Sequence, residues 1–388
     1  MIYLDNSATT PLSEGVKARM IEAMECFGNP SSLHAMGADA KKLLERARTD
    51  ICTTLGVRSP KAGELIFTGS GSEASNLAIL GAVTAKKRRD ATLIITSDSE
   101  HPSVMNAVEA AQNYGFEVVK LKTVRGVLDL TALDDILSGS KKVFMISLML
   151  VNNETGALYD VRRAFSAVKK KYPDAITHCD AVQGYMKVAF TPRELGADLV
   201  TISAHKIHGP KGVGALYVNP EILKAKKIVP IIYGGGQENG LRSGTENLLG
   251  IVGFAEAARE AHSKFRENAE KMTALRQRLE ERLSGIDGVT LNIPSDTRAP
   301  HIVNCTMPSI KSETMLHFLS SEGLLVSSGS ACSSHSKAPS APLIAFGLSP
   351  RLADCSLRIS LSAYNTEQDV DALADAIARG CARLVRIR

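Results

Sequence analysis

The stretch Ser203-Ala204-His205-Lys206-Ile207-His208-Gly209-Pro210-Lys211-Gly212 lies between two apolar runs, residues 198–202 and 213–218. The two runs predict strands, and the Gly and Pro residues predict a tight connection between them. Such a connection holds Lys206 at a sheet edge, where burial and nearby cations lower the pKa of a lysine and favour imine formation. Lys206 is therefore a candidate to bind pyridoxal phosphate, although an isolated lysine is more often a solvated loop residue.

Asp180 is the candidate partner for the ring of such a cofactor. It ends the apolar run 175–179, so a strand would bring it to the same sheet edge as Lys206, 26 residues further along the chain. The pyridine ring accepts electrons from a substrate carbanion only while its nitrogen is protonated, and a nearby carboxylate keeps it protonated.

Apolar runs alternate with helical patterns between residues 92 and 180. The pattern predicts strands at 92–96, 116–121, 143–150 and 175–180, and helices at 102–114, 131–138 and 160–172. This alternation predicts an α/β fold with a mostly parallel sheet covered on both faces by helices. Ligands of such sheets bind beyond the carboxyl ends of strands. His101, Asn153, Asp180, Ser203 and Lys206 all follow predicted strand ends and are expected at one edge.

A glycine-rich turn at residues 68–76 follows another predicted strand. A helix that begins near Ser72 would direct the amides of Gly71 and Ser72 at an anion such as a cofactor phosphate. An ordinary helix cap is the alternative, and the turn by itself would suit a nucleotide equally well. The spacing fits neither a Gly-x-Gly-x-x-Gly nor a Gly-x-x-x-x-Gly-Lys-Ser/Thr pattern, which disfavours nucleotide binding.

Composition limits the classes of protein. The chain has 388 residues, 44% of them hydrophobic, and a formal net charge of +5 that is too small to indicate nucleic-acid binding. No apolar run is long enough to span a bilayer and no signal peptide precedes the first predicted strand, so we expect a cytoplasmic protein without membrane contact. The seven scattered cysteines form no Cys-x-x-Cys pair, and we expect neither disulfides nor a metal site.

Seven motifs, in order along nearly the whole chain, resemble those of the NifS/IscS-like cysteine desulfurases, which belong to the class V aminotransferase branch of fold-type I pyridoxal phosphate enzymes. The motifs are Asp5-Asn6-Ser7-Ala8-Thr9-Thr10, Val151-Asn-Asn-Glu-Thr-Gly156, His205-Lys206 with His208-Gly-Pro-Lys-Gly212, Gly234-Gly-Gly-Gln-Glu238, Arg242-Ser-Gly-Thr-Glu-Asn247, Ser327-Ser-Gly-Ser-Ala-Cys332 and Arg358. The resemblance implies a large cofactor-binding domain, residues 15–258, and a smaller α+β domain made of residues 1–14 and 259–388. A long helical pattern at 246–284 is expected to connect the two domains.

The resemblance also implies roles for individual residues. Lys206 would carry pyridoxal 5'-phosphate as a Schiff base, and the expected catalytic residues are Lys206, Cys332 and His101. The expected cofactor ligands are Gly71, Ser72, His101, Asp180, Gln183, Ser203, His205, Lys206 and Thr245, and the expected substrate ligands are Asn153 and Arg358. Thr245 would reach the cofactor phosphate of the other subunit, which implies a homodimer with shared sites. Asn239 stands where an arginine is common, and His178 and His208 are expected to be structural.

Cys332 is the expected nucleophile. Residues 327–340 contain almost no large apolar side chain, which predicts an exposed loop. A cysteine on a polar loop near His335 and Lys337 can be partly ionised at neutral pH, whereas buried cysteines are usually inert. A strand is expected to carry Arg358, whose guanidinium can hold an amino-acid carboxylate in bidentate fashion, although a structural ion pair is the alternative.

The implied activity is the removal of sulfur from L-cysteine, which leaves L-alanine and a persulfide on Cys332 for a protein sulfur acceptor in iron–sulfur cluster assembly or tRNA thiolation. A class V aminotransferase and a selenocysteine or cystine lyase are the alternatives within the enzymes. These need the lysine and aspartate but no cysteine at position 332. Outside the enzymes, the alternative is a sulfur-carrier scaffold whose binding to a partner matters more than turnover.

Overall fold

A computed structural model of the chain describes residues 1–57, 60, 61, 63–85, 91–329 and 339–384. The strands and helices in chain order are β1 (Ile2–Tyr3), α1 (Glu14–Ala23), α2 (Ala35–Thr54), β2 (Leu65–Thr68), α3 (Gly71–Ala85), β3 (Leu93–Ser97), α4 (Pro102–Ala111), β4 (Glu117–Leu121), β5 (Thr123–Val124), β6 (Val127–Leu128), α5 (Leu130–Ser138), β7 (Val143–Met149), α6 (Val161–Lys171), β8 (Ile176–Asp180), α7 (Pro192–Leu195), β9 (Leu199–Ser203), β10 (Gly214–Val218), α8 (Pro220–Lys224), α9 (Leu248–Ser263), α10 (Phe265–Ser284), β11 (Thr290–Leu291), β12 (Ile302–Thr306), α11 (Ser312–Ser321), β13 (Leu324–Leu325), α12 (Ala341–Phe346), α13 (Pro350–Ala353), β14 (Ser356–Ser360) and α14 (Glu367–Arg383).

The large sheet has the strand order β2-β10-β9-β8-β7-β3-β4. Strands β9, β8, β7, β3 and β4 are parallel to their neighbours in that run, and β10 is antiparallel to both β9 and β2. The predicted strands and helices between residues 92 and 180 are confirmed within a few residues. The carboxyl ends of β7, β8 and β9 therefore lie side by side, as the ligand site of such a sheet requires.

Side chains of the sheet alternate between two hydrophobic cores because successive residues of a strand point to opposite faces. In β2, Leu65 and Phe67 pack in one core with α1, α2, α5, α6 and α9, whereas Ile66 packs in the other with α3 and α4. In β10, Leu216 likewise joins the second core and Tyr217 the first. Helices thus cover both faces, and the predicted α/β fold is confirmed.

A smaller three-stranded antiparallel sheet, β11-β12-β14, packs with α10, α11 and α14 around a third core. The amino-terminal arm joins this unit: β1 pairs with β13 in parallel, Leu4 is buried in the third core, and Asp5 forms a bridge to Ser360. Ala258 is the last residue of α9 in the core of the large sheet. These contacts are compatible with the expected boundaries after residues 14 and 258, which stay predictions.

The expectation of one long helix at 246–284 is wrong in detail. The backbone forms two helices, α9 and α10, because Lys264 between them has φ −113° and ψ 18°, outside the helical range. Among the described residues, no helix combines the length and the hydrophobicity that crossing a membrane requires.

Candidate active site

A cavity of about 150 Å³ lies at the carboxyl ends of β7, β8 and β9. It brings together ten of the residues expected at the site: Gly71, Ser72, His101, Asn153, Asp180, Gln183, Ser203, His205, Lys206 and Arg358. Ser7 and Ala8 of the amino-terminal arm complete one wall. Two expected residues are not among the lining residues. Thr245 lies on the exposed surface elsewhere, and Cys332 lies outside the described residues.

Lys206 directly follows β9, in a single 3-10 turn at Ala204–Lys206. Its amine donates hydrogen bonds to the backbone carbonyls of Ser7 and Ala8, the second at 2.8 Å. The arm is itself fixed to this turn, since Thr10 N donates to the carbonyl of His205 at 2.9 Å. The lysine is therefore directed into the cavity by a turn and an arm separated by almost 200 residues.

Asp180 is the last residue of β8 and is buried. Burial raises the pKa of its carboxyl to about 6, while the hydrogen bond from Val182 N at 3.0 Å and the charge of Lys206 act in the opposite direction. A buried carboxylate with few compensating donors gains most from a cationic partner. A protonated pyridine nitrogen is such a partner.

His101 is the N-cap of α4, which starts at Pro102. Its Nδ1 atom accepts a hydrogen bond from Ser103 N at 3.2 Å and lies 2.7 Å from Ser103 Oγ. Burial, reinforced by the charge of Lys206, lowers the pKa of the imidazole to about 4. The ring is therefore neutral at pH 7 and is held in one orientation, as stacking on a planar ring requires.

The start of α3 forms the wall opposite Ser203. A Cβ atom added to Gly71 would lie 3.0 Å from Val182 Cγ2 and 3.3 Å from Ser203 Cβ, so glycine keeps this corner open. His205 contacts Thr9 Oγ1 through Nδ1 at 3.2 Å, and burial lowers its pKa to about 4. A helix start, a hydroxyl and an imidazole together provide the donors that a phosphate group needs.

Unpartnered polar atoms test whether the residues fit pyridoxal phosphate. Ser203 Oγ, Gln183 Oε1 and Asn153 Oδ1 are buried, belong to residues that line the cavity, and have no hydrogen-bond partner among the described residues. Buried polar atoms without partners are uncommon and costly. Gln183 Nε2 donates to Ser7 O at 2.9 Å and has a second N–H for a phenolic oxygen. The residues present fit a polar cofactor with a phosphate group.

Arg358 lies in β14 and is almost completely buried. Its Nη2 atom forms an ion pair with Asp5 Oδ1 at 2.7 Å, and Nη1 donates to the carbonyl of Asn153 at 3.2 Å. Its Nε atom has no partner among the described residues. A guanidinium has five N–H donors, and the two bonds named above leave three N–H groups without an acceptor among the described residues. The two roles that the sequence suggests for Arg358 are therefore compatible. The side chain forms a structural ion pair with Asp5 and can still bind a substrate carboxylate.

Two residues of this region were not selected from the sequence. Asp5, the carboxylate partner of Arg358, was visible only as part of the first motif. Lys187 is buried, its Nζ has no hydrogen-bond partner among the described residues, and burial together with the charges of Lys206 and Arg358 lowers its pKa to about 7. The sequence could have indicated Lys187 by its position four residues after Gln183, an expected cofactor ligand.

The described residues on either side of Cys332 contact one carboxylate. Ser340 Oγ donates to Glu154 Oε2 at 2.6 Å, and a Cβ atom added to Gly329 would lie 3.4 Å from the same oxygen. Glu154 directly follows Asn153 of the cavity, and Ser327 pairs with Arg358 through two backbone hydrogen bonds. The described residues that flank this segment therefore lie near residues that adjoin or line the cavity.

Comparisons with known proteins show the family of this chain. The family described as Aminotransferase class-V matches residues 2–373. A protein named cysteine desulfurase IscS from Dictyoglomus turgidum is 39% identical over 97% of this chain and 94% of its own length. A solved structure titled NifS-like protein superposes with a TM-score of 0.90, at 35% identity, and covers 99% of this chain and 100% of its own. Another, titled SspA in complex with cysteine, has a TM-score of 0.79 at 31% identity and covers 94% and 100%.

The fold and the family match define a protein of the class V aminotransferase type, a class that depends on pyridoxal phosphate. Within it, relatives that are 35–39% identical over nearly the whole chain are named cysteine desulfurases. The chain belongs to the cysteine desulfurase family of class V aminotransferases.

Proposed function

We propose that this protein removes sulfur from L-cysteine with pyridoxal 5'-phosphate on Lys206 and carries the sulfur as a persulfide on Cys332. One observation supports the proposal most: Lys206, Asp180, His101 and Arg358 meet in one cavity in which Ser203 and other residues present unpartnered polar atoms. A relative at 31% identity whose structure is titled as a complex with cysteine supports the choice of substrate.

The cofactor would be held by residues of the cavity. Ser203, His205 and the backbone of Gly71 and Ser72 would bind its phosphate, together with Thr245 of the partner subunit in a homodimer. Asp180 would bind the ring nitrogen, Gln183 the phenolic oxygen, and His101 would stack on the ring. When bound, pyridoxal phosphate supplies an electron sink that makes the Cα proton of the amino acid acidic.

Arg358 binds the substrate carboxylate with its uncommitted N–H groups, and Asn153 faces the same end of the amino acid. This orientation fixes which bond at Cα lies perpendicular to the cofactor ring. The Lys206 amine then takes the proton from Cα, with His101 as the neighbouring group that can relay it. Asp180 and Arg358 are buried, which strengthens the charge interactions among the residues of the cavity.

The thiolate of Cys332 attacks the substrate sulfur and forms a sulfur–sulfur bond. The bond between the substrate sulfur and its carbon breaks, the electron pair stays on the carbon fragment, and that fragment takes a proton and leaves as L-alanine. Cys332 is the third residue after Gly329, and covalent geometry limits such a span to about 11 Å. Gly329 lies near Glu154, which directly follows Asn153 of the cavity, and this position supports the proposed role of Cys332.

The persulfide would then pass to a protein acceptor, in iron–sulfur cluster assembly or in tRNA thiolation. Both acceptors are compatible with the residues described. The cytoplasmic location stays a prediction.

Cys332→Ala tests the proposal. We expect it to keep the absorbance band of the bound cofactor near about 420 nm and to lose sulfide release from L-cysteine in the presence of dithiothreitol. Cys26→Ala is the matched control, because Cys26 is a partly exposed cysteine that does not line the cavity, and this variant should release sulfide at the normal rate. Unimpaired sulfide release by Cys332→Ala contradicts the role of the thiol and favours an aminotransferase or lyase without it.

A further inference from the structure

The loop of residues 234–247 connects the large sheet to α9 and contains Thr245. Its backbone enters the left-handed region repeatedly, with φ of 79° at Gly236, 49° at Glu238, 56° at Asn239 and 78° at Gly240. Non-glycine residues with positive φ cost on the order of 1–3 kcal/mol each and persist only where their surroundings hold them. Asn tolerates this conformation better than most residues, which gives a local reason for Asn239 in this chain.

Glu238 is held by a buried ion pair with Arg48 of α2. The guanidinium binds in bidentate fashion, with Nη1 2.8 Å from Oε2 and Nη2 2.8 Å from Oε1, and both side chains are less than 10% exposed. The Arg48 guanidinium also lies 4.8 Å from the centre of the Phe67 ring. Two non-glycine residues of the loop, Glu238 and Asn239, have a positive φ. The carboxylate of Glu238 forms this ion pair and so holds the backbone at a strained position.

The same ion pair covers the outer edge of the large sheet. Strand β2 is the edge strand and pairs with β10 on one side. On the other side, Arg48 Nη1 donates to the carbonyl of Leu65 at 2.6 Å, and Phe67 N donates to Glu238 Oε2 at 2.8 Å. The loop is thus bonded to the strand that leads directly into the turn before Gly71 and Ser72.

A second ion pair joins the loop to that turn. Arg242 Nε donates to Glu73 Oε1 at 2.7 Å, and Glu73 Oε2 accepts from Gly69 N at 2.8 Å. Glu73 is in the first turn of α3, two residues after Gly71. Thr245 follows Arg242 by three residues and is exposed, and it does not line the cavity of its own chain.

We propose that Arg48 and Glu238 are positioning residues for cofactor binding in the partner subunit. Their ion pair holds residues 234–247 in the strained conformation that presents Thr245 to the cofactor phosphate of the second copy of this chain. Arg242 and Glu73 connect the same loop to the turn that binds the phosphate of its own subunit. The inference rests on the role of Thr245 in the proposed function and adds how that role depends on α2.

The test is a double-mutant cycle on cofactor affinity. The cofactor-free dimer is titrated with pyridoxal phosphate for the wild type, Thr245→Ala, Arg48→Lys and the double variant, and the dissociation constant is read from the band near about 420 nm. Loss of one hydrogen bond to the phosphate should raise the constant about tenfold in Thr245→Ala. Arg48→Lys cannot form the bidentate pair, so it should raise the constant by a similar factor.

The double variant distinguishes a positioning role of Arg48 from a general effect of Arg48 on protein stability. If Arg48 acts through Thr245, the double variant should show about the same tenfold loss as either single variant. An approximately hundredfold loss, the product of independent effects, overturns the proposal, as does an unchanged constant for Arg48→Lys beside a raised one for Thr245→Ala. Circular dichroism and sedimentation verify that each variant is a folded dimer.

Glu238→Gln provides the cycle if Arg48→Lys does not fold, because the amide keeps the shape of the side chain and one acceptor oxygen. Arg278→Lys is the control: Arg278 forms a bidentate pair with Asp371 between α10 and α14, and its substitution should leave the constant unchanged. If the wild type itself forms no complex with pyridoxal phosphate, both the proposed function and the inference fail. If only the cycle is additive, the inference fails and the function stands.

Discussion

Two cavities of opposite character lie at the two ends of the parallel strands of the large sheet, here called the amino edge and the carboxyl edge. At the amino ends of β7 and β8 lies the larger one, about 510 Å³, lined by Lys142, Lys171 and Lys227. At the carboxyl ends lies the smaller one, about 150 Å³, which contains Lys206. Of these two cavities, the larger one is thus not the one that contains Lys206. The state of the polar groups distinguishes the two cavities.

At the amino edge, Lys171 and Lys227 are paired with protein oxygens. Lys227 Nζ donates to the carbonyl and the carboxylate of Asp174 at 2.9 and 3.1 Å, and Lys171 Nζ donates to the carbonyl of Leu137. At the carboxyl edge, Ser203, Gln183, Asn153 and Arg358 all keep a buried polar atom without a partner among the described residues. Polar groups that already have hydrogen-bond partners gain little from a ligand. Buried polar groups without partners are uncommon in proteins, and a bound ligand can supply the missing hydrogen bonds.

Among the substitutions at the carboxyl edge, Arg358→Lys should produce the largest change in kcat/KM. A lysine cannot bind a carboxylate in bidentate fashion, so kcat/KM for L-cysteine should fall about 100-fold, on the order of 3 kcal/mol, mainly through KM. The cofactor band should be unchanged, which steady-state kinetics and a spectrum together would establish.

Asp5→Asn is the control for that variant, because Asp5 is the structural partner of Arg358. The asparagine should keep KM within a few-fold of the wild type. If it reproduces the KM of Arg358→Lys, the guanidinium acts through the structural pair and does not bind the substrate directly.

Cofactor affinity should depend on pH through Asp180. Burial raises the pKa of its carboxyl from 3.8 to about 6, so the folded cofactor-free protein favours the protonated acid and loses this contribution to stability as pH rises through 6. A cationic ring nitrogen favours the ionised form instead. Binding should therefore strengthen by up to about tenfold per pH unit as the pH rises towards 6, the limit for one linked proton.

Titration of the apoenzyme with pyridoxal phosphate between pH 5 and 8 measures this dependence. Asp180→Asn carries no titrating carboxyl and should lose the part of the slope below pH 6. An identical slope in the two proteins would assign the dependence to other groups, such as the cofactor phosphate.

Substitution of Lys227 at the amino edge should produce the smallest change in cofactor affinity and in kcat/KM. Lys227→Met removes a pair whose carboxylate is fully exposed, and such pairs contribute about 1 kcal/mol or less. The variant should keep cofactor affinity and kcat/KM within about twofold of the wild type. A large loss of either would show that the edge assignment is wrong.

The sequence predicted the local features of the carboxyl edge. Alternating strands and helices between residues 92 and 180 were read correctly because each is encoded by a short periodic pattern. Lys206 and Asp180 could be placed together because both follow strands that end at one edge. The topology brings them to one cavity without any further information.

Contacts between distant segments could not be predicted in the same way. Arg48 and Glu238 are 190 residues apart, and Asp5 and Arg358 are 353 apart. No local pattern reports such a pair, since each residue by itself resembles an ordinary surface charge. The break at Lys264 was missed for a related reason: α9 and α10 are both strong helical patterns, and packing against two different cores separates them.

Covalent labelling identifies the lysine that carries the cofactor. The protein is loaded with pyridoxal phosphate and reduced with borohydride, which converts a lysine imine into a stable secondary amine, and the modified peptide is identified by mass spectrometry. We expect a single stoichiometric adduct on Lys206. An adduct on Lys227 or another lysine of the amino edge, or no stoichiometric adduct on Lys206, would contradict this expectation.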